Sequence, residues 1–150
     1  MKFKFIWVGK TRDAHWKALQ TEYLRRLSHF VKSEIVEVKD AAGVDSVEIE
    51  GNDLLTRANP STFVTLLDVN GRQLSSKELA AQLEQWQNRG VREITFVVGG
   101  AKGVSRRVAE RADLTLSLSF LTFTHEMARV VLVEQLYRAY TILRGFPYQK

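Results

Sequence analysis

The chain has 150 residues, 45% of them hydrophobic, with 22 Lys and Arg against 17 Asp and Glu and no cysteine. This length suffices for one domain with its own core, and the lack of cysteine excludes disulfides, thiolate metal sites and a cysteine nucleophile. The three histidines, His15, His29 and His125, are too far apart in sequence for a local metal cluster. No segment reaches the ~18 apolar residues of a membrane span or forms a signal-peptide core. The sequence therefore predicts a soluble, cytoplasmic protein that uses no metal.

Basic residues are concentrated toward the end of the chain. Residues 91–150 carry 9 basic and 5 acidic side chains, whereas residues 1–90 carry 13 and 12. Such an excess attracts phosphate backbones, although it is also an ordinary charge for solubility. Charge alone therefore does not decide between a nucleic-acid partner and an ordinary charge for solubility.

Apolar alternation and turn residues predict strands and helices that alternate along the whole chain. The predicted strands are residues 2–8, 34–38, 63–68, 93–98 and 114–118. The predicted helices are residues 13–27, 47–58, a helix from a Ser75–Glu78 capping box to Gly90, then 105–112 and 126–143. Asn70-Gly71 predicts the turn that ends the third strand. The pattern indicates a single α/β domain over residues 1–150, with a mostly parallel sheet flanked by helices; general rules favour an unknotted sheet.

A glycine-rich loop follows the fourth predicted strand. Gly99, Gly100 and Gly103 permit positive φ angles and let a ligand approach the backbone closely. The loop lies at the carboxyl edge of the sheet, where open α/β folds bind ligands. A tight turn without a ligand is the alternative.

An apolar segment separates the fifth strand from the last helix. Its residues are Leu118, Ser119, Phe120, Leu121, Thr122 and Phe123. Apolar side chains in a loop need a cover, and a flat ligand such as adenine would supply one. Core packing explains the segment equally well.

Three polar residues near the end of the chain are candidates for chemistry. His125 can move a proton near neutral pH, although a lone histidine is more often a surface or capping residue. Arg138 follows Glu134 by one helical turn, which also fits a simple ion pair. On a single chain, helical geometry places Arg138 about 15 Å from Tyr148. We therefore predict a composite site in which a dimer brings Arg138 of one subunit close to Tyr148 of the other. The alternative is that Arg138 only pairs with Glu134 and the tail is disordered.

The last predicted helix carries apolar residues around most of its circumference, too many for one buried stripe. They are Met127, Val130, Val131, Leu132, Val133, Leu136, Tyr137 and Tyr140. This predicts a homodimer whose interface includes the helix.

Several segments together form a combination that is specific to one family. The longest is residues 122–140, TFTHEMARVVLVEQLYRAY, followed by Arg144-Gly145-Phe146-Pro147-Tyr148. Shorter ones are Val8-Gly9-Lys10, Glu22-Tyr23-x-x-Arg26, Leu67-Asp68-x-x-Gly71 and Val98-Gly99-Gly100-x-x-Gly103. These segments are spread along the whole chain, and together they resemble the ribosomal RNA large subunit methyltransferase H family. Members of this family are small SPOUT-class enzymes that methylate N3 of a pseudouridine in 23S rRNA.

The resemblance implies a fold, a cofactor and a partner. It implies a trefoil knot in the C-terminal half (the SPOUT-type α/β knot), a homodimer, and S-adenosylmethionine bound by the knotted loops. The implied substrate is 23S rRNA in the assembled ribosome. Positions that match cofactor contacts are Leu67, Gly99, Gly100, Leu118, Ser119, Phe120, Leu121, Thr122 and Phe123. Positions that match catalytic or RNA-facing residues are His125 and Tyr148, as proton handlers, and Arg138, as anion stabiliser or RNA clamp.

Two departures and two alternatives accompany this hypothesis. The family usually has proline where Thr124 stands, and a Tyr-His tail where this chain has Tyr148-Gln149 before Lys150. A related knotted methyltransferase acting on tRNA is one alternative. A non-catalytic RNA- or ribosome-binding module is the other.

Overall fold

The computed structural model describes the backbone of residues 1–149 and the side chains of residues 1–148. The strands are β1 (Lys2–Val8), β2 (Lys32–Val38), β3 (Phe63–Gln73), β4 (Glu93–Val98) and β5 (Leu114–Ser117). The helices are α1 (Ala14–Leu27), α2 (Ser46–Arg57), α3 (Ser76–Asn88), α4 (Arg106–Arg111) and α5 (His125–Leu143), followed by a 3-10 turn at Pro147–Gln149. Every strand and helix predicted from the sequence is present, and most of their ends differ by one or two residues.

The five strands form one sheet in the order β2-β1-β4-β3-β5, with every pair parallel. Helices α1, α3 and α5 cover one face over an aromatic core that includes Phe3, Phe5 and Phe96. Helices α2 and α4 cover the other face, over a smaller core around Ile6 and Leu66. The predicted parallel α/β sheet with helices on both faces is confirmed.

Side-chain caps fix where several helices begin. The Asp13 carboxylate accepts hydrogen bonds from the amides of His15 and Trp16 at 2.9 and 3.0 Å, which starts α1. The predicted capping box at α3 is present: the Ser75 hydroxyl accepts from the Glu78 amide, and the Glu78 carboxylate accepts from the Ser75 amide. These caps depend on neighbours in sequence, which is why the capping box at α3 could be predicted from the sequence alone.

The predicted turn at Asn70-Gly71 is wrong, because β3 continues to Gln73. Leu116 of β5 lies in register with both Leu67 and Arg72, so residues 68–71 form an irregularity inside the strand. A Cβ on Gly71 would lie 2.7 Å from the backbone carbon of Thr115. Glycine therefore serves here for close approach to β5 and not for a hairpin turn.

Two further properties bear on function. Among the described residues, none of the helices is both long enough and apolar enough to cross a membrane. In the same part of the chain, no three His, Asp or Glu side chains come together as metal ligands.

Candidate functional site

A cavity with a volume of about 700 Å³, which we call the main cavity, lies at the carboxyl ends of β3, β4 and β5. Its walls are residues 67–69 from β3, residues 98–101, 103 and 104 around the end of β4, Leu116, and residues 118, 119 and 121–125 before α5, with Ala128 behind them. This is the edge where open parallel sheets bind ligands. The cavity brings together all the predicted cofactor positions except Phe120.

The glycine loop after β4 forms one wall of this cavity. The Gly103 amide donates to the Gly100 carbonyl at 3.0 Å, and Gly103 has a φ of 81°. A Cβ on Gly99 would lie 2.7 Å from Cγ1 of Val104 and 2.9 Å from the Gly103 carbonyl oxygen. The loop is thus a tight turn, which was one of the two interpretations of the sequence. The turn also borders a cavity large enough for a ligand.

The irregularity in β3 contributes residues that the sequence did not single out as site residues. Asp68 and Val69 border the cavity next to Leu67. Bulges commonly redirect side chains beside functional sites. The Leu67-Asp68-x-x-Gly71 segment indicated that this region matters for function. Its Asn70-Gly71 pair, which is typical of a turn, obscured the continuation of the strand.

The apolar segment before α5 forms the outer wall. The Ser119 hydroxyl accepts from the Leu121 amide at 3.0 Å, which holds the segment in a tight curve. Leu121 borders the cavity although its side chain is 75% exposed, whereas Phe120 lies outside the lining and is 72% exposed. Core packing therefore does not explain these two side chains.

His125 is the first residue of α5 and borders the cavity. The helix begins there because the hydroxyl of Thr124 accepts a hydrogen bond from the Met127 amide at 3.3 Å. Thr124, the departure noted in the sequence, thus acts as a helix cap, which keeps the start of α5 defined.

A buried arginine fixes the first turns of α5 against the end of β1. The Arg129 guanidinium donates to Oγ1 of Thr11 at 3.0 Å and to the carbonyl oxygen of Val8 at 2.5 Å, and it lies 4.9 Å from the ring centroid of Trp7. The side chain is fully buried, and burial lowers the Arg129 pKa to about 10. On the same side of the helix, the Glu126 carboxylate accepts hydrogen bonds from loop amides after β1. These contacts therefore hold the first turns of α5, including His125, in a fixed position relative to the end of β1.

The expected separation of Arg138 and Tyr148 is wrong. The chain reverses at Gly145, whose φ is 67°, and the tail packs back on α5. The Arg138 guanidinium carbon lies 4.7 Å from the Tyr148 ring centroid, and Oε1 of Glu134 accepts hydrogen bonds from both side chains, at 2.6 and 2.9 Å. Arg138 and Tyr148 thus meet within one protomer. Lys150 and the side chain of Gln149 lie outside the described residues.

The environment of Tyr148 determines its protonation. Burial, reinforced by hydrogen bonds with Tyr23 and Glu134, raises the pKa of Tyr148 above its ordinary value. The hydrogen bond that Arg138 itself donates to Glu134 raises the pKa of Arg138. Near neutral pH this cluster therefore presents a permanent cation beside a protonated phenol.

The cavity and the Arg138 cluster lie at opposite ends of α5. His125 and Arg138 are 13 positions apart, which corresponds to about 20 Å along a helix. One protomer therefore brings together Arg138 and Tyr148, and separately His125 and the cofactor positions, but it does not join the two groups.

Comparison with known sequences matches the whole chain. A family model described as a predicted SPOUT methyltransferase matches residues 1–149. The chain is 44% identical to a ribosomal RNA large subunit methyltransferase H from Desulfotalea psychrophila, with all of both chains covered. Proteins of the same name from Gloeobacter violaceus, 46% identical over 99% of this chain and 98% of the other, and Streptococcus pneumoniae, 39% identical over all of both, are similar as well.

Two solved structures have a similar fold. A probable methyltransferase from Bordetella pertussis superposes with a TM-score of 0.57 at 15% identity, covering 92% of this chain and 95% of that one. A putative methyltransferase from Legionella pneumophila, in complex with S-adenosylmethionine, gives 0.52 at 10% identity, covering 93% of this chain and 66% of that one. At these identities the likeness concerns the fold alone.

Proposed function

Because the chain belongs to the SPOUT methyltransferase family, we propose that it transfers a methyl group from S-adenosylmethionine to N3 of a pseudouridine in 23S ribosomal RNA. The observation that carries this is full-length identity of 39–46% with proteins named as large-subunit rRNA methyltransferases. The enzyme acts in the cytoplasm on the assembled ribosome, where the shape of the RNA helps to place the target base.

The main cavity suits the cofactor. Its volume of about 700 Å³ lies in the range of small-molecule sites, and its lining is largely apolar. Gly99 supports the same assignment, since a side chain there would collide with the loop that closes the cavity. Leu67, Gly99, Gly100 and the segment at 118–123 hold the cofactor, within loops that form a trefoil knot.

When bound, S-adenosylmethionine supplies a methyl group on a positively charged sulfur, which retains the electron pair of the broken S–C bond. The protein must remove the proton on the imide nitrogen, so that the freed electron pair forms the new N–C bond. His125 borders the cavity and takes this proton on its imidazole. Tyr148 is disfavoured as the base, because its raised pKa keeps it protonated and its hydroxyl donates to Glu134.

Arg138 completes the site from a second protomer. An antiparallel pair of α5 helices that cross near Val131 would place position 125 of one chain beside position 138 of the other, since the two lie six and seven residues from that point. A stripe of half-exposed side chains, which includes Met127, Val131 and Ile142, follows one side of α5 and is available for this contact. Arg138 then stabilises the imide anion or binds the RNA backbone.

The decisive experiment uses ribosomes that lack the modification. They are incubated with the protein and labelled S-adenosylmethionine, and the methylated nucleotide is located by digestion and mass spectrometry. We expect one methyl group on N3 of one pseudouridine in 23S rRNA, and none on tRNA. Methylation of tRNA alone would support the tRNA enzyme, and the lack of cofactor binding in calorimetry would support a non-catalytic module.

A further inference from the structure

A second, smaller cavity of about 300 Å³ adjoins the main one along the carboxyl edge of the sheet. It lies over β2, β1 and β4, and its walls include Gly9, Lys10 and Arg12 after β1 and Asp40 after β2. The main cavity lies over β4, β3 and β5. The two together span the whole carboxyl edge, and the function described so far uses only one of them.

Three residues border both cavities. Gly100 and Ala101 of the loop after β4, and His125 at the start of α5, line both cavities where the two adjoin. His125 is the residue to which the proposed reaction assigns the imide proton. A molecule in the smaller cavity would therefore lie next to both His125 and the cofactor cavity.

The rim of the smaller cavity carries two basic side chains, Lys10 and Arg12, beside the acidic Asp40. Lys10 and Arg12 are exposed, and within the described part of the chain neither side chain forms an ion pair. Glu126, the nearest acidic group on α5, is engaged with the backbone amides of Arg12 and Asp13. Cations in such a position contact the phosphates of RNA.

We infer that the smaller cavity receives the nucleotide to be methylated. Its uracil-type base lies against Gly100, Ala101 and His125, where the two cavities adjoin and N3 can face the methyl group of the cofactor, and its flanking phosphates contact Lys10 and Arg12. A base is small enough for the space, and enzymes that modify bases commonly take them out of the stack into such a pocket. This inference rests on the proposed rRNA methylation and specifies where the RNA enters.

The competing occupant is the amino-acid end of the cofactor, whose carboxylate Lys10 and Arg12 could also bind. The volume of the main cavity favours the nucleotide, because about 700 Å³ accommodates a whole ligand of the cofactor's size. If the nucleotide occupies the smaller cavity, removal of Lys10 and Arg12 weakens RNA binding. If the amino-acid end of the cofactor occupies it, the same change weakens cofactor binding.

The test compares two pairs of variants. Lys10→Ala with Arg12→Ala removes the rim charges, and Arg89→Ala with Arg92→Ala removes two exposed arginines from the opposite edge of the sheet. Asp40→Trp fills the smaller cavity, and Asp45→Trp places the same side chain nearby, outside the lining. For each variant, calorimetry measures S-adenosylmethionine affinity, and transfer to unmodified ribosomes gives KM and kcat at several salt concentrations.

We expect the Lys10→Ala/Arg12→Ala variant to raise the KM for ribosomes about tenfold, with cofactor affinity unchanged. The dependence of KM on salt should fall by an amount that corresponds to about two phosphate contacts. Asp40→Trp lowers kcat/KM by a similar factor, and both controls behave as wild type. Weakened cofactor binding in the Lys10/Arg12 pair would overturn the inference in favour of the cofactor's amino-acid end. Wild-type kinetics in both lining variants would overturn it while leaving the proposed function intact, whereas failure of the wild type to methylate ribosomes would overturn the proposed function itself.

Discussion

The guanidinium carbon of Arg138 lies 4.7 Å from the ring centroid of Tyr148 within one protomer. Glu134 joins the two by accepting hydrogen bonds from both. This preformed cluster holds Arg138 in one orientation while leaving its side chain partly exposed. A cation held in this way is suited to bind an anion that arrives from outside the protomer.

The first prediction concerns this cluster. We expect Arg138→Ala, and separately removal of residues 146–150, to abolish methyl transfer to ribosomes while leaving cofactor affinity largely unchanged. The Arg138–Glu134 pair is partly buried, with side chains 28% and 14% exposed, so thermal melting verifies that Arg138→Ala remains folded. Labelled transfer assays with parallel calorimetry measure both quantities. Near-normal transfer by either variant would contradict a role at the site.

Tyr148 and His125 are distinguished by paired substitutions. Tyr148→Phe keeps the ring beside Arg138 and removes only the hydroxyl, so we expect kcat to change by no more than about threefold, as suits a protonated side chain that is not the base. His125→Asn removes the proposed proton acceptor and should lower kcat by about 10²–10⁴. Single-turnover rates at saturating cofactor test this. A large loss in Tyr148→Phe, with normal rates in His125→Asn, would reverse the assignment.

Gly99→Val tests the cofactor cavity. The new Cβ would lie 2.7 Å from Val104 and 2.9 Å from the Gly103 carbonyl oxygen, so the loop must move, at a cost of about 1–3 kcal/mol. We expect cofactor affinity to fall by about tenfold or more, as measured by calorimetry. Gly100→Ala, in the same cofactor loop, should reduce affinity less, because its Cβ comes no closer than 3.3 Å to Val8 and Glu50. Thermal melting verifies that both variants are folded, and normal binding by a folded Gly99→Val would place the cofactor elsewhere.

The dimer is tested at Val131. The structure buries Val130, Leu132 and Val133 within the protomer, so the apolar circumference of α5 is explained in large part without a partner. Val131 remains half-exposed on the free stripe. We expect the wild type to sediment as a dimer, Val131→Arg as a 17.2 kDa monomer that still binds cofactor, and Leu19→Arg on α1 as a dimer. A monomeric wild type at micromolar concentration would refute the interface.

Acid stability depends on Glu22. Hydrogen bonds from Arg25 and Arg26 lower the Glu22 pKa from 4.5 to about 2. Since the folded value lies below the unfolded one, the stabilisation is complete above pH ~4.5 and is lost as pH falls toward ~2. Glu22→Gln should therefore lower Tm near neutrality and show less further loss on acidification. The exposed Glu84→Gln is the control, and identical Tm curves for the wild type and Glu22→Gln would contradict the prediction.

The sequence by itself determined the alternation of strands and helices, the capped start of α3, and the family. These features rest on local signals: apolar periodicity, side chains that bond amides two or three residues away, and motifs such as that at residues 122–140. The match over residues 1–149 confirms the family. Helix ends were predicted within two residues for the same reason, since a cap acts within one turn.

Tertiary structure decided the features that depend on distant partners. Asn70-Gly71 has the local preference of a turn, yet pairing with β5 and the close approach of Thr115 to Gly71 extend the strand through it. The tail was expected to continue away from α5, but the Glu134 carboxylate and the Arg138 guanidinium bind Tyr148 and hold it against the helix. The division of the carboxyl edge into two cavities depends on where His125 stands relative to the loop at Gly100. That position is set by the buried contacts of Arg129 with Val8 and Thr11, about 120 residues apart in sequence, which no local pattern encodes.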